Sequence, residues 1–174
     1  MSPIAVVRIA LVVFVAAIFQ VSAVASVEIF GGVPNLLLVV FVGIALLRGS
    51  IAGALAGFAG GLLVDVATLG TLGVSSLLLT VAGYWVGRYG ETTGRGQPQA
   101  LPLAVAAITV LVGFGGYGLH YMLGDAVSVH VSLIPLLPAL LWNGLLAFPV
   151  YRLLRRVVGS EEHHARAREM EILA

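Results

Sequence analysis

Residues 50–69 read SIAGALAGFAGGLLVDVATL, twenty residues with a single charge, Asp65. The hydrocarbon core of a bilayer is about 30 Å thick, and an α-helix of about 20 mostly apolar residues crosses it. The stretch therefore predicts a membrane-spanning helix. Two small-residue registers run along it, Ala52, Ala56 and Gly60 on one stripe and Gly53, Gly57 and Gly61 on the next. Lipid gives helices no hydrophobic reason to associate, so close backbone approach through small residues is how they gain packing energy. This helix is predicted to lie among others, packed inside the chain or against the helix of a partner.

Working outward, five more apolar runs are bounded by charge, Gly or Pro. Together the six are Ile4–Val27, Val33–Leu47, Ser50–Leu69, Leu72–Arg88, Leu101–Leu123 and Leu133–Val157, the second and fourth being short. The first exceeds the usual apolar region of a signal peptide and has only Arg8 as a basic flank, so it is read as a retained helix. The composition agrees. Of 174 residues, 60% are hydrophobic and 10% charged, and the mean hydropathy is +1.08. A water-soluble domain of this size leaves about a third of its chain surface outside, too much to hide so apolar a chain. The expected fold is an all-α integral membrane protein, a six-helix bundle at residues 1–158 followed by a tail at 159–174.

Cytoplasmic loops are enriched in Lys and Arg, whereas Asp and Glu count for little. The nine cations here are all Arg. With six spans Arg8, Arg48, Arg88, Arg95, Arg152, Arg155, Arg156, Arg166 and Arg168 fall on one side, while Glu28, Asp65 and Asp125 fall on the other. Both termini and the Gly90–Gln99 loop are therefore expected to be cytoplasmic. In the tail, Ser160 with the acidic residues after it could cap a short amphipathic helix, or the tail could be frayed.

Few residues are candidates for chemistry. Zero cysteines exclude disulfides, thiolate metal sites and a Cys nucleophile. A net charge of +1 without a basic, aromatic-laced stripe argues against nucleic acid. No hydrolase elbow, zinc-protease helix, P-loop or dinucleotide fingerprint occurs, and Gly113-Phe114-Gly115-Gly116 reads as helix packing. His120, Asp125 and His130 are too loosely spaced for a metal set. Asp65 is the one acid inside a predicted span, and its insertion cost of about 2.5–3.5 kcal/mol requires a partner. It is read as an anchor for the Ala67–Gly73 turn, with an ion or proton site as the alternative. Pro34-Asn35 reads as a helix start capped by Asn35. Asn143 reads as an interhelical hydrogen bond, and Gln20, Ser22 and Ser26 as a buried polar face. No cofactor is expected.

Taken in order, Pro34-Asn35-Leu36-Leu37-Leu38, Leu46-Leu47-Arg48-Gly49, Gly53, Gly57-Phe58-Ala59-Gly60-Gly61-Leu62-Leu63-Val64-Asp65, Leu72-Gly73, Gly83-Tyr84 and Gly87-Arg88 resemble the rod shape-determining MreD family. The specific part covers residues 33–88, and Asn35 stands where many family members carry Asp. The resemblance implies a non-enzymatic component of the bacterial inner (cytoplasmic) membrane that serves lateral wall synthesis. It implies binding to the single-span protein MreC and, through it, to MreB, RodA and a class B penicillin-binding protein. It also implies a fold similar to the substrate-binding subunits of energy-coupling-factor vitamin transporters, which supplies the alternative function. Residues expected to carry packing or partner contacts are Asn35, Arg48, Gly53, Gly57, Gly61, Asp65 and Asn143.

Overall fold

A helix that is apolar on every side is either a core helix or a membrane span, and the run from Leu36 to Leu47 is apolar all round. The computed structural model describes residues 3–24, 31–93, 100–124 and 134–157. Among these the helices are α1 (Pro3–Phe19), α2 (Leu36–Arg48), α3 (Ser50–Thr68), α4 (Val74–Thr93), α5 (Ala100–Met122) and α6 (Leu136–Val157). A π-helical turn, Gln20–Val24, continues α1. Helix α2 stands at the centre, with every residue from Leu37 to Leu46 buried and all five other helices packed against it.

Four of the six predicted spans have the length and apolarity to cross a membrane: Pro3–Ser22, Ser50–Thr68, Ala100–Met122 and Leu136–Val157. Helix α2 does not. Its 13 residues rise about 20 Å at 1.5 Å per residue, short of the hydrocarbon thickness. It is an inner pillar, buried from Leu37 to Leu46 and half-buried at Leu36, Leu47 and Arg48. Helix α4 is longer than the sequence suggests, 20 residues reaching Thr93 instead of stopping at Arg88. The charge at Arg88 looks like a boundary, but the helix continues because Glu91 finds a partner on α3, as described below.

Helices α2 and α3 are joined by one residue, Gly49, at φ +92° and ψ −174°. Side-chain-bearing residues essentially never adopt this conformation. Its N–H returns to the Ala45 carbonyl at 2.8 Å while its carbonyl receives Gly53 N–H at 3.0 Å, so one glycine ends one helix and begins the next. Outside, large apolar side chains such as Ile51, Trp85, Leu103 and Leu141 lie exposed on α3 to α6. Exposed apolar surface spread around a helical bundle is what lipid solvates. Ser22 is exposed as well, so the expected buried polar face of the first span reduces to half-buried Gln20. Ser26, Asp125, His130, Ser160 and the tail from 159 onward lie outside the described residues.

Candidate functional site

The small-residue registers of α3 are both spent inside the chain. On the first stripe Ala52, Ala56 and Gly60 are buried, and a methyl group added at Gly60 would lie 3.1–3.2 Å from Leu37 of α2 and Val13 of α1. The second stripe meets the backbone of α4. Gly53 and Gly83 face each other, so that a Cβ on either would fall on the carbonyl oxygen of the other. A Cβ at Gly57 would fall on the Leu79 carbonyl, one at Gly61 would sit 2.6 Å from the Ser76 backbone, and one at Gly87 would strike Gly49 and Ser50. Two helices held this closely exchange dispersion and Cα–H···O contacts along their whole length.

Each end of this hairpin is closed by a carboxylate from the opposite helix. At one end Asp65, on α3, accepts from Gly73 N–H at 2.8 Å and Ser76 N–H at 3.4 Å through Oδ2, and from Ser75 N–H at 3.2 Å through Oδ1. Gly73 immediately precedes α4, and Ser75 and Ser76 lie in its first turn, whose amides have no partner within their own helix. Asp65 also anchors the turn through its backbone. Gly70 N–H reaches its carbonyl at 3.1 Å, while Leu69 caps α3 in the left-handed region at φ +53°. The sequence expectation of a turn anchor is met. At the other end Glu91, on α4, accepts from Ser50 N–H at 2.8 Å and Ser50 Oγ–H at 3.1 Å, capping the start of α3. Arg88 flanks it at 3.6 Å. The sequence reading placed Glu91 in a loop; its position three residues after Arg88, within continuing helical periodicity, was the available signal.

A second polar cluster surrounds the start of α2. Asn35 Oδ1 accepts from Leu38 N–H at 2.9 Å, the expected cap. Gln20, in the π turn, grips the same segment from both sides, its Nε2 donating to the Pro34 carbonyl at 3.1 Å and its Oε1 accepting from Leu36 N–H at 2.7 Å. Asn143, buried in the middle of α6, accepts from Asn35 N–H at 2.7 Å and donates to Thr109 Oγ1 of α5 at 3.0 Å. The Thr109 hydroxyl donates onward to the Val105 carbonyl at 2.8 Å. Orphan amides at the start of a buried helix are thus supplied by α1 and α6, and α5 is tied in through Thr109. π turns occur where a helix must re-aim a side chain, and here Gln20 is the side chain re-aimed. The sequence marked Gln20 as polar without indicating its partner. Arg48 closes the other end of α2 in its last turn, where a cation suits the helix dipole.

Among the described residues no buried side-chain polar atom lacks a hydrogen-bond partner. Among the described residues, Gln20, Asn35, Asp65, Glu91 and Asn143 are engaged at helix ends. Two hollows remain. A groove of about 840 Å³ between α1 and α3 is lined by apolar residues such as Val6, Ala10, Phe14, Ala52, Ala59 and Leu62. A smaller one, about 190 Å³, lies beside Asn35, Thr109 and Asn143.

The model of the rod shape-determining protein MreD matches residues 2–157. The chain belongs to the MreD family. No curated protein and no solved structure matches it significantly. The match spans all six described helices, whereas the resemblance in the sequence lay between residues 33 and 88. In this MreD-family chain the quoted motif residues converge on one substructure. Pro34-Asn35 is the capped start of the inner pillar, Arg48-Gly49 its end, and Gly53, Gly57, Gly61, Asp65, Gly83 and Gly87 the close-packed hairpin beside it.

Proposed function

We propose that this chain is a non-enzymatic scaffold of the bacterial cell-elongation complex, placed in the cytoplasmic membrane with both termini on the cytoplasmic side. It holds an MreC-type single-span protein and, through that partner, works beside MreB, RodA and a class B penicillin-binding protein. The observation that carries this reading is the family match over residues 2–157. It is supported by the engagement of the intramembrane polar side chains in capping helices. The two hollows described above are poor vitamin sites. A water-soluble vitamin needs several hydrogen-bond partners once desolvated; the larger groove offers apolar walls, and the smaller is below the roughly 300–1,000 Å³ of a small-molecule site.

The test is depletion in a rod-shaped host together with purification from native membranes. Depleted cells are expected to round up, and the tagged protein to retain an MreC-type partner through detergent exchange. Unchanged cell shape, with stoichiometric binding of a water-soluble vitamin by the purified chain, would move the assignment to the transporter subunit.

A further inference from the structure

The last two turns of α6 place Arg152, Arg155 and Arg156 at i, i+3 and i+4, one face of the helix. All three are exposed, and none has a hydrogen-bond or ionic partner among the described residues. The same face, followed back toward the start of α6, carries Leu141, Leu145 and Phe148 at helical spacing, each more than half exposed. Helix α6 is held in this orientation from behind. Leu154 is buried and lies over Gly43 of α2, Tyr151 lies beside it, and Asn143 is fixed to Asn35.

A lipid-facing apolar stripe of two turns that ends in three exposed guanidinium groups has the layout of a phospholipid, chains along the stripe and phosphate at its end. The geometry points to a binding site for an anionic phospholipid on this face, its acyl chains against Leu141, Leu145 and Phe148 and its phosphate held by Arg152, Arg155 and Arg156. Arginine suits this task better than lysine, because its planar fork offers paired donors to phosphate oxygens and it carries its charge at any membrane pH. Basic residues immediately beside a membrane helix each favour an anionic lipid surface by about fivefold, so three together give roughly a hundredfold preference over a zwitterionic lipid. The inference rests on the membrane character of the bundle and is independent of the elongation-complex reading.

Full-length protein, delipidated in a non-ionic detergent, can be titrated with phosphatidylglycerol or phosphatidylcholine in mixed micelles. Bound lipid is then counted by native mass spectrometry. The wild-type chain is expected to prefer phosphatidylglycerol, R152Q/R155Q/R156Q to lose roughly a hundredfold in that affinity, and Arg155→Gln alone about fivefold. The single substitution answers the question if the triple variant does not purify as a folded monodisperse protein. Equal retention of the two lipids, or undiminished phosphatidylglycerol binding by the variants, would overturn the site. Displacement of bound lipid by millimolar glycerol 3-phosphate would assign the arginines to a free phosphate ligand instead. Loss of a co-purifying acidic protein from the triple variant, with lipid binding intact, would assign them to a protein partner.

Discussion

Asp65 gathers three backbone donors at the start of α4 onto one carboxylate, so its removal strands amides where water is scarce. Asp65→Ala is expected to destabilise the protein by about 2–3 kcal/mol, from the loss of a charged helix cap and the exposure of its donors to an apolar surround. Asp65→Asn keeps one acceptor oxygen but turns an amide N–H₂ toward the third donor, and should cost about 1 kcal/mol. Thermal unfolding in detergent, followed by loss of the monodisperse species, measures both. If Asp65 acts only through the turn, Asp65→Asn should still support rod shape in a complementation assay. Loss of shape with normal amounts of folded protein would point to an ionic role.

At the scale of the helix, the α3–α4 pair makes a graded prediction about glycine. Gly57→Ala drives a methyl into the Leu79 carbonyl, which belongs to a backbone that cannot rotate away, and is expected to cost at least about 1–3 kcal/mol by overpacking. Gly60→Ala meets only the flexible ends of Leu37 and Val13 and should cost less. Gly118→Ala, on α5 with nothing within 4 Å of the added methyl, should gain about 0.5–1 kcal/mol from helix propensity. Folded yield and thermal stability of the three variants should follow that order. The same pair shows how far the sequence could be read. The stripes themselves were legible, because small residues at a spacing of four announce close packing whatever they pack against. Their partner was not, since Gly83 and Gly87 on α4 fit an internal or an external contact equally well until the turn at Gly73 brings α4 back along α3. Asp65 was legible as an anchor because an acid at that depth must be paired. Glu91 was not, because a carboxylate near a Gly-rich segment has the composition of a loop, and only the tertiary position of Ser50 reveals its use. The shortness of α2 was legible; its place at the centre depends on contacts with five helices that leave no periodic trace in a uniformly apolar run.

For the whole molecule, the contacts bring the arginine-bearing ends of α2, α4 and α6 to one level, with Gly87 over Gly49 and Ser50, Gly90 over Leu46, and Leu154 over Gly43. If that end is cytoplasmic, a single cysteine replacing Thr93 in this cysteine-free chain should resist a membrane-impermeant thiol reagent in intact cells, and one replacing Ser128 should react. Labelling at position 93 would invert the topology. The capping of α2 also bears on how the protein is made. Asn35 N–H is satisfied by Asn143, a residue 108 positions later in the chain. At roughly 5–20 residues per second, the ribosome needs about 5–20 s to deliver that partner. Until then the central helix stands with an open amide and too little length to hold a place in lipid by itself. The bundle can therefore lock only when α6 arrives, and a nascent chain cut short before α6 is expected to be recognised by membrane proteases as unfinished.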